Sequence, residues 1–156
     1  AQLSDYTRNC HSGNKMLDVM IHKFAVDCSM RNIHFEYDVK LCNLNEVEDI
    51  DLVAILGNLI DNAVSAAEKS REKRVSLATA RRNAYSVIVI SNSCDAQPKT
   101  SGTHLVTSKE NKSAHGFGLK SVRKTLRKYN GDYEWTYDAN RCLFVVTAMV
   151  GSHSPV

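Results

Sequence analysis

Between Asn14 and Met30 the apolar residues Met16, Leu17, Met20, Ile21, Phe24 and Ala25 return at helical spacing, which predicts an amphipathic helix. Ser12 or Asn14 supplies a capping side chain for its start. Then Ile33, Phe35, Tyr37 and Val39 alternate with His34, Glu36, Asp38 and Lys40, the pattern of a strand with one face covered. The acidic run NEVEDID puts negative charge where a second helix, from about Asp49 to Ser70, would begin, as the helix dipole favours. Val75 to Arg81 and Tyr85 to Ser91 read as two strands with a turn at Arg82, Asn83 and Ala84. The β-branched run VIVIS marks the second of them as central.

From Asn92 to His115 the pattern breaks. This stretch holds Pro98, Gly102 and many Ser, Thr, Asn and Lys residues, with Leu105 and Val106 as its adjacent apolar pair. A loop of that length inside one domain is functional or disordered, and here it is the candidate for a mobile lid. Leu119, Val122 and Leu126 define a third helix ended by Asn130-Gly131, and Lys120, Arg123, Lys124, Arg127 and Lys128 lie on its other side. Apart from Lys120, these cations read as a solvated face. Asp132 to Tyr137 and Cys142 to Val150 form the last two strands, with a turn at Asp138, Ala139 and Asn140. The order α, β, α, β, β, lid, α, β, β predicts an α+β two-layer sandwich. Its sheet is mixed and mostly antiparallel, about five strands, with three helices on one face. No internal repeat is visible.

Composition narrows the class. The chain has 156 residues, 43% hydrophobic and 24% charged, which suits one globular domain. Its net charge of +3 is too mild to indicate a nucleic-acid partner. Five cysteines at positions 10, 28, 42, 94 and 142 form no CxxC pair, so neither a zinc site nor a disulfide framework is expected, and reduced thiols in the cytoplasm are. No uninterrupted apolar run is long enough to span a bilayer and AQLSDYTRNC does not read as a signal peptide, so the chain as given is expected to be soluble. It opens on Ala1 and is expected to be a piece of a longer protein.

Two motifs carry candidate chemistry. HGFGLKS, His115 to Ser121, holds a GxG at a helix start. Such a site either makes a tight turn or lets backbone N–H groups approach a phosphate. It lacks the third glycine of a dinucleotide fingerprint, and no GxxxxGK[ST] loop is present. In ILGNLIDNA, Asn58 and Asn62 are one helical turn apart, offset by about 40°. They either sit at the edge of the core bonded to loop backbone, or aim their carbonyl oxygens into a pocket that holds a hard cation beside a polyphosphate.

GNLIDNA, the TSK of the long loop and HGFGLKSV together resemble the GHKL superfamily of ATP-binding domains. More narrowly, the chain is similar to the catalytic ATP-binding domain of bacterial sensor histidine kinases of the quorum-sensing type related to the staphylococcal Agr sensor. The resemblance runs from about Gly13 to Val150 and implies the Bergerat ATP-binding fold. It implies a domain over 13–151, a linker remnant over 1–12 and a tail over 152–156.

The resemblance also implies roles. Asn62 takes the place of the Mg2+-binding asparagine and Asn58 faces the triphosphate, the two forming the catalytic pair. At the position of Asn58 the superfamily's ATP hydrolases carry a Glu that activates water. An amide cannot take that proton, which favours a kinase over an ATPase. Asn92 stands where an Asp reads the adenine amino group, with Asp95 as the substitute, and the glycines of that element are missing. Thr107, Ser108 and Lys109 match a lid element that meets the phosphates, although TSK alone would read as a solvated loop. The backbone amides of His115, Gly116, Phe117, Gly118 and Leu119 cradle the phosphates, and Lys120 neutralises them. Thr147 either lies near adenine or is a core strand residue.

The implied function is transfer of the γ-phosphoryl group of ATP, with Mg2+, to a histidine on a separate dimerisation domain. An aspartate of a response regulator is next in line. His11 and His22 are the N-terminal histidines, and His22 reads as an ordinary helix residue, so no phosphoacceptor is expected in this chain. The domain is expected in the cytoplasm, in a protein anchored in the bacterial inner membrane. A nucleotide-binding regulatory module and an anti-sigma-like serine kinase are the alternatives on the same fold.

Overall fold

Helix α1 (Lys15–Met30) starts where the Asn14 side chain accepts the Leu17 N–H at 3.0 Å. Ser12 is buried, and its hydroxyl donates to Asp18 at 2.7 Å. The computed structural model describes residues 12–40, 42–98, 100–101, 104–105 and 118–151. After α1 come β1 (His34–Val39), α2 (Asp49–Glu68), β2 (Arg74–Arg82) and β3 (Tyr85–Ser93). Two short strands follow, β4 (Thr100–Ser101) and β5 (His104–Leu105), then α3 (Gly118–Arg127), β6 (Asp132–Asp138) and β7 (Leu143–Val150).

The five-stranded sheet has the order β1-β2-β3-β7-β6, so β3, which carries VIVIS, is central as its sequence predicts. Strand β1 runs parallel to β2, and the other neighbours are antiparallel. A parallel pair needs a crossover, and α2 supplies it between β1 and β2. β4 and β5 pair with each other in a separate ribbon. The mixed five-strand sheet with three helices is the α+β sandwich expected.

One face of the sheet carries Val75, Leu77, Ile88, Ile90, Val146 and Ala148, all buried against the helices. Each fully buried side chain of this size contributes about 1.5–3 kcal/mol. Among the described residues, helix α2 alone is long and apolar enough by composition to cross a bilayer. Eight of its side chains, from Leu52 to Ala67, are buried in this core, so it is a core helix.

Helix α3 is fastened at both ends. Its last turn closes with the Gly131 N–H donating to the Leu126 carbonyl at 2.9 Å. The left-handed residue there is Asn130, at φ 55°, rather than the glycine. Gly131 is needed for another reason: a Cβ on it would lie 2.0 Å from the Met149 carbonyl oxygen of β7. The Tyr129 hydroxyl donates to Asp51 at 2.6 Å and accepts the Glu48 N–H at 3.1 Å, tying α3 to the start of α2. Arg123 is not part of a solvated face. It bonds Asp132 at 2.8 Å and stacks on the Tyr133 ring at 4.4 Å, which docks α3 on β6.

Candidate functional site

The second half of α2, the end of β3, the segment after it, the start of α3 and the start of β7 enclose a cavity of about 360 Å³. Leu59, Ala63, Ile90, Leu119, Phe144 and Val146 form its apolar walls. Strand parity places them: Ile90 and Asn92 share one face of β3, while Phe144 and Val146 share the matching face of β7. Phe144 is backed by Trp135 of β6, with ring centroids 5.6 Å apart. The polar lining comes from Asn62, Ser65, Lys69, Ser70, Asn92 and Asp95.

The far end of α2 is clamped to β3. The Ser70 and Ser93 hydroxyls share a hydrogen bond of 2.6 Å, and Ser93 Oγ also accepts the Arg74 N–H at 2.9 Å. Beyond β3, Asp95 accepts the Arg71 N–H at 2.9 Å and the Tyr137 hydroxyl donates to the Cys94 carbonyl at 2.8 Å. The segment after β3 is therefore held against both neighbouring elements as it forms the cavity wall.

Each asparagine has a distinct setting. Asn92 is only 2% exposed, and its Nδ2 donates to the Ser93 carbonyl at 3.0 Å, which leaves Oδ1 as an acceptor at the cavity. Asn62 is half-buried and lines the cavity, with no side-chain hydrogen bond among the described residues. Asn58 donates from Nδ2 to the Ala54 carbonyl at 2.7 Å, so its own helix orients it. Its Oδ1 is turned to the start of α3, where a Cβ on Gly118 would lie 3.3 Å away. Gly118 thus gives α3 a close seat on the asparagine face of α2. Asn58 and Gly118, about sixty residues apart in the chain, meet here.

Other expected site residues divide three ways. Leu119 lines the cavity, while Lys120 is exposed and does not line it. Thr147 pairs with Val89 and Glu134 on the opposite face of the sheet from Phe144 and Val146, so it does not reach the cavity. The run LFVVTAMV carries few polar markers, and only the register decides which of its residues face inward. Thr107, Ser108, Lys109, His115, Gly116 and Phe117 lie outside the described residues. The sequence reading missed Lys69, Ser70, Phe144 and Val146. The parity of β7 against Asn92 was the signal for the last two.

The residues present fit Mg2+ bound with a polyphosphate. Asn62 offers a half-buried carboxamide with no side-chain partner among the described residues. Among those residues no cluster of three or more His, Cys, Asp and Glu could hold a metal by itself. That set suits an ion whose remaining ligands are phosphate oxygens and water.

A family model described as the GHKL domain matches residues 47–150, which spans α2 through β7. No curated protein matches the sequence at a significant level. Among solved structures, the catalytic domain of histidine kinase ThkA superposes with a TM-score of 0.67 at 15% identity, covering 91% of this chain and 93% of that one. The histidine kinase AdeS of Acinetobacter baumannii superposes with a TM-score of 0.59 at 14% identity, covering 89% of this chain and 64% of that one. These likenesses show the fold, that of histidine kinase catalytic domains. With its match over most of the chain, the protein belongs to the GHKL family of ATP-binding domains.

Proposed function

We propose that this domain binds ATP with Mg2+ in the cavity between α2, β3 and α3 and transfers the γ-phosphoryl group to a histidine on a separate dimerisation domain. One observation carries the reading. Asn62, Asn92 and Leu119 line a single cavity while Gly118 seats against Asn58, so the elements that would meet metal, base and phosphates converge.

In this reading the apolar walls take the purine and Asn92 Oδ1 accepts from its exocyclic amine. Asn62 holds the metal, and Asn58 orients the phosphates beside the start of α3. Bound Mg2+ supplies charge neutralisation on the phosphate oxygens. The chain's own contribution is positioning, and neither amide can deprotonate a water at neutral pH, which suits phosphoryl transfer to a histidine over hydrolysis. We place the domain in the cytoplasm, in a protein anchored in the bacterial inner membrane. In this reading the domain belongs to a kinase of the Agr-like quorum-sensing type, with a response regulator as the final acceptor. We keep the domain limits at 13–151, with 1–12 as a linker remnant and 152–156 as a tail.

The test is binding of an ATP analogue with and without Mg2+, followed by transfer from labelled ATP to an added dimerisation domain. Acid-labile phosphate on histidine supports the reading. Binding without transfer supports a regulatory module, and acid-stable phosphate on a protein substrate supports a serine kinase.

A further inference from the structure

Where β3 and β7 meet at the cavity mouth, two cysteines stand opposite each other. The register pairs Asn92 with Phe144 and ends at Ser93 with Leu143, and Cys94 and Cys142 are the residues just beyond that last pair. The Cys94 N–H donates to the Cys142 carbonyl at 2.8 Å. Facing backbones that share such a bond have Cα atoms roughly 5.5 Å apart, inside the ~4.4–6.8 Å range of disulfides. Cys94 follows β3 directly and lines the cavity, while Cys142 is the turn residue immediately before β7, joined to Cys94 by that backbone bond.

Both thiols are free and half-buried, unlike the buried Cys28 and Cys42. Weak bonds hold them apart: Cys94 Sγ donates to the Ala96 carbonyl at 3.0 Å and Cys142 Sγ to the Ala139 carbonyl at 3.7 Å. Tyr137 holds this corner, its hydroxyl donating to the Cys94 carbonyl at 2.8 Å. Cys142 itself has a left-handed backbone, φ 49°, in the turn where Asp138 accepts the Asn140 and Arg141 N–H groups at 3.0 and 3.2 Å.

We propose that Cys94 and Cys142 form a reversible dithiol–disulfide pair whose oxidation weakens nucleotide binding in the adjoining cavity. The oxidant is a small disulfide of the glutathione class. One thiolate of the pair attacks a glutathione disulfide sulfur and releases a glutathione thiolate. The second thiolate then attacks the mixed disulfide and releases the other. The protein loses two protons and two electrons, and two glutathione thiols form. Closing the bond draws Cys94 Sγ from Ala96 toward β7. Cys94, Asp95, Ala96 and Pro98 all line the cavity, as does Asn92 two residues away, so this wall is reset. The effect on binding rests on the nucleotide reading above.

The test uses the full chain, reduced and then treated with glutathione disulfide. Peptide mapping is expected to find a Cys94–Cys142 linked peptide, reversed by dithiothreitol. The dissociation constant of a fluorescent ATP analogue is expected to rise by about fivefold or more. Cys142→Ser, which does not alter a lining residue, should bind as the reduced protein does and ignore the oxidant. Absence of the linked peptide overturns the proposal, as does a linked protein with unchanged affinity. If reduced protein binds no nucleotide, the nucleotide reading fails and the coupling with it, while the linked peptide still decides whether the disulfide forms.

Discussion

Replacing Asn92 by alanine separates base recognition from general binding. In the folded chain Asn92 is 2% exposed and its Nδ2 is committed to the Ser93 carbonyl, so Oδ1 is the group left to read a ligand. ATP offers an exocyclic amine to that oxygen, and purine riboside triphosphate, which lacks the amine, leaves the acceptor without a donor. A neutral hydrogen bond is worth about 0.5–1.5 kcal/mol net, and a stranded buried acceptor costs about 1–3 kcal/mol. The cavity, at about 360 Å³, has room for a water to follow the smaller base. The wild-type preference for ATP is therefore expected at the shared part of the two ranges, about 1.5 kcal/mol or roughly tenfold. In Asn92→Ala, ATP should lose about tenfold while the analogue changes by about twofold or less, so the preference disappears. Calorimetric or competition titrations of both nucleotides on both proteins measure the four constants. Urea unfolding checks that the variant is folded, since the Ser93 carbonyl loses its amide donor at a cost of about 1 kcal/mol. A tenfold preference that survives in Asn92→Ala would refute the assignment and direct attention to Asp95.

Further outcomes follow from single contacts. Asn62→Ala should weaken nucleotide binding in Mg2+ by about tenfold and make affinity the same in Mg2+ and in chelator, with little change in urea stability because no described residue bonds its side chain. Gly131→Ala should cost about 3 kcal/mol or more in urea unfolding, because its Cβ would meet the Met149 carbonyl at 2.0 Å and that backbone belongs to the β6–β7 ladder. Tyr129→Phe should cost about 1–2 kcal/mol through the lost Asp51 and Glu48 bonds. Burial, then the hydrogen bond to Asp51, raises the Tyr129 phenol above its ordinary value of 10.0, so the unfolded chain sheds that proton first. Stability is then full below about pH 10 and falls as pH climbs toward the folded pKa. Unfolding curves against pH should show a shallower alkaline decline in Tyr129→Phe, with Tyr133, Tyr137 and the thiols of Cys28, Cys42 and Cys94, all also raised, contributing to what remains.

What could be read along the chain was whatever repeats with the period of an element. The spacing of Leu17, Ile21 and Phe24, the alternation around Phe35 and the β-branched run in β3 each carry their own burial pattern, because one side of every element meets the core. Asn58 and Asn62 could be put on one helix face from spacing, but the meeting of Asn58 with Gly118 depends on how α3 docks on α2. Thr147 could not be separated from its neighbours, since β7 is apolar at almost every position and only its register with Asn92 distinguishes the two faces. The cations of α3 also look alike in sequence. Arg123 differs because Asp132 and Tyr133 happen to stand opposite it, a fact set by the turn at Asn130 and Gly131. In that turn the local sequence marked the end of the helix but not the division of labour, with Asn130 taking the left-handed backbone and Gly131 the close approach.

Asn62 and Asn92, with Asn58 behind them, share a property that matters beyond geometry: a carboxamide neither gains nor loses a proton in the range where the protein functions. No histidine lines the cavity among the described residues. Between about pH 5 and 8, where imidazole is the side chain that ordinarily changes charge, these three groups present a constant face to a ligand. Over that interval the amide contacts of this pocket should therefore stay as they were when a cell acidifies, while the ligand's own phosphates change their ionisation.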